Sequence, residues 1–171
     1  MKKIILCLLI LVCSFSLFAL YIPSAPIVTA RTEHEGELLF GGTYHALIKT
    51  GDINLHFTYY LKDGWGVMTQ IPLYCFKAND VDHFYLAGYA VKRLGSENLF
   101  GQLGLGYVVF DYNTQDESLR LRGPALALSL GIGLCEEVML KVACSEWFMW
   151  DFNTETFYPN FNACLAIGLR F

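Results

Sequence analysis

Hydrophobic and polar residues alternate along much of the chain, with the two-residue period of a β-strand that has one apolar face. The alternation is clearest in residues 53–62, 99–110, 124–135 and 161–171. In the last segment one face carries Phe161, Leu165, Ile167, Leu169 and Phe171, and the other carries Asn162, Cys164, Gly168 and Arg170. This pattern predicts strands and no amphipathic helix in these segments.

Turn-forming clusters divide the chain after residue 36 into eight segments of about 9–15 residues, a length that suits a tilted strand crossing a bilayer. These clusters are residues 51–52, 63–64, 77–82, 95–97, 111–123, 136–137 and 151–160. An even number of strands brings both chain ends to the same side of a barrel.

The less apolar face of each strand distinguishes a membrane barrel from a soluble one. A soluble barrel of the lipocalin kind places its apolar face inside and needs a water-facing surface of charged and polar residues. Here the second face consists mainly of Gly, Ala, Ser and amide side chains, as in Ala125, Ala127 and Ser129. Small residues suit the crowded interior of a narrow barrel. The predicted fold class is therefore all-β, an eight-stranded antiparallel transmembrane β-barrel.

The amino terminus carries the only helix-length apolar run in the chain. Lys2 and Lys3 precede the apolar residues 4–20, and Pro23 and Pro26 follow them, which is typical of a secretory signal peptide. We expect cleavage after Ala19 or after Ala30. The domain prediction is a signal peptide and N-terminal segment at 1–30 and an outer-membrane β-barrel at 31–171.

The lengths of the predicted turns indicate the orientation of the barrel. If both ends are periplasmic, the periplasmic turns are 63–64, 95–97 and 136–137, which are all short. The long segments 77–82, 111–123 and 151–160 then become extracellular loops, the asymmetry expected of such barrels. The first outer turn, 51–52, is the short exception.

Two segments depart from strict alternation. Pro72 removes a ladder donor within a predicted strand, which favours a β-bulge there. Glu146 falls on the lipid face if its strand keeps register, near the outer end where a charge costs less. A bulge between Cys144 and Trp147 is the alternative.

Strand parity places several charges in the interior near the periplasmic end. Glu37, Lys92, Lys141 and Arg170 are predicted to form a lumenal charge cluster. Buried unpaired charge is costly, so the cations need an anion. We expect Glu37 to contact Arg170 across the closure between the first and last strands. Glu35 is the second candidate for the anion.

Aromatic residues near the strand ends predict girdles at the two membrane interfaces. The interfacial aromatics include Trp65 at the periplasmic end and Tyr107, Trp150 and Phe161 at the outer end. Tyr85 and Trp147 are assigned to the outer girdle as well.

The cysteine spacing indicates no metal site, and no cofactor is expected. The four cysteines of the mature chain (Cys75, Cys135, Cys144 and Cys164) match no ligand motif. Loss of Lys2 and Lys3 takes the net charge from −4 to −6, and no basic cluster is present, so nucleic-acid binding is not expected. We expect no catalytic residues, although His45 and Ser129 both point inward.

The C-terminal strand resembles the assembly signal of bacterial outer-membrane proteins. Leu165, Ile167, Leu169 and the final Phe171 combine alternate apolar residues with a terminal aromatic. The resemblance implies recognition by the barrel-assembly machinery. With the strand count, the mature chain is similar to the small eight-stranded group that includes the OmpA membrane domain, OmpX-like and OmpW-like proteins and the lipid A deacylase PagL. No histidine follows His83, so the His-x-Ser that PagL-like enzymes carry near their last strands is absent.

These observations predict a bacterial outer-membrane protein with a structural or surface-interaction role through its extracellular loops. Its expected partners are outer-membrane lipid, the assembly machinery and a surface ligand of unknown identity. A narrow channel for small or hydrophobic solutes, as in OmpW-like proteins, is the alternative, and a lipid-modifying enzyme is less favoured.

Overall fold

The structure is a computed structural model that describes residues 35–76, 82–96, 98–114 and 118–171. The predicted signal peptide and residues 77–81 of the second predicted outer loop lie outside these ranges.

Eight strands account for nearly all of the described residues. They are β1 (Gly36–His45), β2 (Thr50–Lys62), β3 (Trp65–Cys75), β4 (Asp82–Gly95), β5 (Leu99–Asn113), β6 (Ser118–Gly133), β7 (Val138–Asp151) and β8 (Thr156–Arg170).

Each strand pairs antiparallel with its neighbours in sequence, and β1 pairs with β8 to close the barrel. Glu37 lies opposite Arg170 at this closure, and Phe40 lies opposite Ile167. The predicted fold class is confirmed. Among the residues that the structure describes, no helix is long and apolar enough to cross a membrane.

The two ends of the barrel differ. The end that carries Gly36 and Arg170 is called the terminal end here, and the opposite end, with the connections 46–49 and 152–155, is called the loop end. At the terminal end β2 and β3 are joined by Asp63 (φ 52°) and Gly64 (φ 73°). Two consecutive positive φ values match the type I′ turn, whose twist suits a two-residue hairpin.

Side chains alternate between the interior and the outer face as predicted. In β2 the even-numbered residues from Asp52 to Tyr60 are buried, whereas Phe57 and Leu61 are exposed on the outside. The outer face is apolar around the barrel, and the interior holds most of the buried polar groups. Because successive strand side chains point to opposite faces, the sequence pattern fixes this division locally.

The strands extend further at the loop end than predicted. The chain turns at residues 46–49 and not at 51–52, because Gly51 and Asp52 pair with Tyr44 and Thr43. Most of the predicted loop 111–123 is strand, in which Asp111 pairs with Arg120. Likewise only residues 152–155 of the predicted loop 151–160 connect strands. Polar residues continue the ladders here because backbone pairing does not require an apolar side chain.

A β-bulge lies next to Pro72, as predicted. The β2–β3 register shifts between Ile53, which pairs with Tyr74, and Asn54, which pairs with Pro72. Leu73 and Tyr74 are consequently both exposed on the outside. No such shift occurs around Glu146, which pairs with Leu126 and Phe161 in unbroken register and lies half-buried on the outer face.

Candidate functional site: two polar clusters inside the barrel

The interior is filled by side chains from end to end of the described strands. Its central cavity has a volume of about 20 Å³ and is lined by residues that include Met68, Val91, Gln102 and Lys141. That volume holds about one water molecule. The interior therefore consists of two clusters of polar and aromatic side chains, one toward each end.

Glu37 is the centre of the cluster at the terminal end. Its carboxylate lies 3.3 Å from Lys141 Nζ and 3.6 Å from an Arg93 guanidinium nitrogen. The Tyr60 hydroxyl donates a hydrogen bond of 3.0 Å to the same carboxylate. All four side chains are almost fully buried. Charges so deeply buried are tolerable only when they are paired and hydrogen-bonded, as these are.

The terminal-end cluster continues across the barrel as a chain of hydrogen bonds. The Gln102 amide donates to the Tyr60 hydroxyl at 3.0 Å, and the Ser129 hydroxyl donates to the Gln102 carbonyl oxygen at 3.1 Å. These contacts join β1, β2, β5 and β6 through the interior. Such a connected network fixes the relative register of strands that are not neighbours in the wall.

Of the predicted lumenal charge cluster, Glu37 and Lys141 lie inside the barrel, whereas the prediction for Lys92 is wrong. Tyr89 and Val91 set the inward parity of β4, so the inward cation is Arg93. Lys92 lies on the outside, where its ammonium donates to the Asp63 carbonyl oxygen and sits 5.1 Å from the centre of the Trp65 ring.

Arg170 lies on the inward side of β8, with its guanidinium 5.8 Å from the centre of the Phe100 ring. Arg93 stacks more closely on the same ring, at 4.0 Å. Arg170 and Glu37 are direct backbone partners. Their side-chain ion pair stays a prediction.

Asp52 is the centre of the cluster at the loop end. Its Oδ2 atom lies 2.5 Å from His45 Nε2 and 3.6 Å from His83 Nε2. Its Oδ1 atom accepts hydrogen bonds from the Asn54 amide at 2.6 Å and from the Tyr85 hydroxyl at 3.4 Å. The two oxygens thus have separate roles, because one is held by neutral donors and the other faces two imidazoles.

Aromatic rings surround the loop-end cluster. The His45 ring lies 5.3 Å from Tyr85 and 5.4 Å from Trp147, and His83 stacks on Phe110 at 5.9 Å. Tyr85 and Trp147 are therefore inside the barrel, and their assignment to the outer girdle is wrong. The reason is that side chains alternate between the two faces of a strand, and both residues fall on the inward face. The Trp147 indole N–H has a buried partner, donating to the Tyr89 hydroxyl at 2.9 Å.

Apolar residues at the loop end of the barrel cover this cluster. Leu47 and Ile48 of the first turn, with Tyr112, Leu119 and Tyr158, pack against the buried aromatic residues. His45, Asp52 and His83 side chains consequently have no exposed surface.

His45 and Ser129 both point inward, as the sequence predicts, but they belong to different clusters. The His45 ring contacts Asp52 and Asn162, whereas the Ser129 hydroxyl is bound to Gln102. The structure does not join them into a nucleophile and base.

The four remaining predicted interfacial aromatics all lie on the outer face. Trp65 is at the terminal end, and Trp150 packs against Phe157 near the loop end with ring centres 4.7 Å apart. Tyr107 and Phe161 are half exposed. Phe161 also borders a shallow outer pocket of about 70 Å³ next to Glu146.

The residues of the predicted assembly signal occupy the outer face of β8, with Leu165, Ile167 and Leu169 each about half exposed. Phe171 continues the pairing of β8 with β1, because its carbonyl oxygen accepts from Gly36 N–H at 2.7 Å and its N–H donates to the Gly36 carbonyl oxygen at 3.0 Å. Its ring covers Gly36 so closely that a Cβ at that position would lie 2.5 Å from the ring.

Sequence reasoning missed the meeting of His45, Asp52 and His83. Parity alone places His45 and Asp52 inside once β1 and β2 are extended to their observed ends. His83 shares the inward parity of Tyr85 on β4, whereas the sequence pattern, with Lys92 inside, places both on the outer face.

No protein-family model matches the sequence, and no curated protein matches it. Solved structures do match. The N-terminal β-barrel domain of OprF from Pseudomonas aeruginosa has a TM-score of 0.58 at 13% identity, covering 82% of this chain and 100% of that one. Ail, the attachment invasion locus protein of Yersinia pestis, has a TM-score of 0.53 at 16% identity, with the same two coverages. The outer membrane protein OprG from Pseudomonas aeruginosa has a TM-score of 0.53 at 14% identity, covering 84% of this chain and 99% of that one. The chain therefore has the fold of the small eight-stranded outer-membrane β-barrels that its sequence resembles.

Proposed function

We propose that the mature chain resides in a bacterial outer membrane, which it reaches by export behind the signal peptide in residues 1–30. The apolar outer face supports this location. Leu105, Val142, Leu165 and Ile167 are each more than half exposed. Side chains of this kind around a closed barrel have a stable environment only in lipid.

Within that membrane we propose a structural or surface-interaction role rather than transport. The observation that carries the proposal is the filled interior. The Glu37 cluster closes the terminal end, the rings around Asp52 close the loop end, and the cavity between them is about 20 Å³. A solute would have to displace paired, buried charges to pass.

Single-channel recording in planar bilayers tests this role directly. We expect the refolded mature chain to insert without steady discrete openings. A Trp147→Ala variant, which removes the largest fully buried side chain of the interior, is the informative comparison. Steady openings of the unmodified protein would overturn the structural role and favour the narrow channel.

The proposed partners are outer-membrane lipid on the outer face, the barrel-assembly machinery at the C-terminal strand and a surface ligand at the loop end. One solved structure of Ail contains the heparin analogue sucrose octasulfate. In this chain the Arg120 guanidinium is paired with Asp111 at 2.7 Å, and Arg122 lies over the Phe152 ring at 4.7 Å. Because a carboxylate offsets one arginine and an aromatic ring covers the other, this surface favours a ligand with both polar and apolar groups over a polyanion.

Glycan-array binding of the refolded protein tests the ligand proposal. We expect no preference for sulfated polysaccharides over neutral glycans, and salt-sensitive binding confined to the sulfated members would contradict it.

A further inference from the structure

We propose that His45, Asp52 and His83 form a binding site for one divalent transition-metal ion, of the Zn²⁺ type, inside the loop end of the barrel. Each of the three side chains offers one ligand atom, and these atoms lie within 4.8 Å of one another. Two imidazoles and a carboxylate are a common ligand set for such ions. The site is independent of the proposed membrane role.

The unsatisfied state of His83 is the observation that points to a ligand. Its side chain has no exposed surface, and neither ring nitrogen has a hydrogen-bond partner among the residues that the structure describes. The 3.6 Å from Nε2 to Asp52 Oδ2 is beyond hydrogen-bond distance. A buried nitrogen without a partner is unfavourable, and a metal ion between His83 and Asp52 satisfies it.

The hydrogen bonds of His45 support the same conclusion. Its Nδ1 atom lies 2.6 Å from Asn162 Oδ1, and that oxygen also accepts from the Asn160 amide at 2.9 Å. Because Asn162 Oδ1 is an acceptor, the His45 Nδ1 atom is the donor of that hydrogen bond. Nε2 faces Asp52 Oδ2 at 2.5 Å in a second hydrogen bond, whose proton a bound metal ion would replace. Orientation of a ligand histidine through its second nitrogen is the usual outer-shell arrangement of metal sites.

Asp52 is held in the same way. Asn54 and Tyr85 donate to its Oδ1 atom, which leaves Oδ2 to serve as a single-oxygen ligand. A tetrahedral Zn²⁺ with bonds of about 2.0–2.1 Å places neighbouring ligand atoms about 3.3 Å apart. The three ligand atoms therefore reach that geometry with displacements of about 1.5 Å or less, within the range of side-chain rotation.

Metal content of the refolded full chain, prepared without a histidine tag, is the primary test. Because the site is buried, Zn²⁺ is added during refolding and loosely held ions are then removed with chelator. We expect about one Zn²⁺ per folded chain, the occupancy of a single three-ligand site. Folded protein that retains no Zn²⁺ would overturn the proposal.

Variants locate the ion. His83→Gln and Asp52→Asn should each lose the retained Zn²⁺, whereas His56→Gln should keep it, because His56 is an equally buried histidine whose Nε2 faces Cys164 at 3.6 Å. Retention by His83→Gln or Asp52→Asn at the wild-type level would contradict the assignment.

A spectroscopic measurement on the unmodified chain covers the case in which a variant fails to fold. Cu²⁺ loaded in place of Zn²⁺ should give electron paramagnetic resonance splitting from two imidazole nitrogens and should quench Trp147, whose ring lies 5.4 Å from that of His45. A spectrum without imidazole nitrogen would refute the site.

Discussion

At the scale of single residues, the interior is organised by a few buried polar side chains whose charges are satisfied within the barrel. Glu37 is the clearest example, because two cations and a tyrosine hydroxyl share its carboxylate. In a buried cluster the loss of one partner leaves the others uncompensated, so single substitutions have large effects.

Glu37→Gln should lower the free energy of unfolding by about 3–5 kcal/mol, because Lys141 and Arg93 lose their buried counter-charge. Urea unfolding in lipid vesicles, followed by tryptophan fluorescence, measures the change. The control is Glu136→Gln in an exposed turn at the same end of the barrel. The double variant Glu37→Gln, Lys141→Met should recover part of the loss. Equal stability of the Glu37 and Glu136 variants would show that the cluster does not stabilise the barrel.

Two glycines provide a matched test of interior packing. A Cβ on Gly131 would lie 2.0 Å from the Phe100 ring, whereas one on Gly88 would meet nothing within 4 Å. Gly131→Ala should therefore destabilise the barrel by about 1–3 kcal/mol through forced movement of Phe100. Gly88→Ala should leave stability unchanged or slightly higher. The same unfolding assay compares them, and a Gly131 variant as stable as the Gly88 variant would contradict the observed packing.

At the scale of elements, β8 both closes the barrel and carries the predicted assembly signal. Its outer face continues the apolar alternation to Phe171, and its backbone pairs with both β1 and β7. Closure by β8 removes the free edges that an open sheet would expose to other chains.

Phe171→Ala tests the assembly signal while it keeps the two backbone hydrogen bonds to Gly36. Expressed in a Gram-negative host, the variant should reach the outer membrane in smaller amounts and accumulate in the periplasm, although its stability after refolding in detergent changes little. Phe157→Ala, on the outer side of the same strand at the other end, is the control. Normal membrane levels of the Phe171 variant would show that the Phe171 ring is not part of an assembly signal.

At the scale of the whole molecule, closure makes the barrel one cooperative unit. Every strand has two paired neighbours, and the interior clusters connect strands across the barrel, as Gln102 on β5 does with Tyr60 on β2. Such closed barrels resist opening by detergent alone.

Gel electrophoresis with and without boiling tests this cooperativity. We expect the refolded protein to migrate differently in the two states, and its far-UV circular dichroism to show β-structure. Identical migration, or a spectrum dominated by helix, would be inconsistent with a closed eight-stranded barrel.

The sequence alone determined the strand number, the outward apolar face and the inward position of Glu37, Lys141 and Arg170. These properties depend on the two-residue period of a strand, which is a local property of the chain. The bulge at Pro72 was also predictable, because proline lacks the N–H that the ladder requires.

Tertiary structure decided which inward side chains meet. His83 on β4 reaches Asp52 on β2 and His45 on β1 only because the barrel closes with one particular register. The choice of Arg93 over Lys92 and the position of Tyr85 depend on the parity of β4. Trp147 shares the inward parity of Lys141, because β7 keeps an unbroken register between them. That parity is fixed by hydrogen bonds to neighbouring strands, because a shift of one residue would turn every side chain of a strand to the other face.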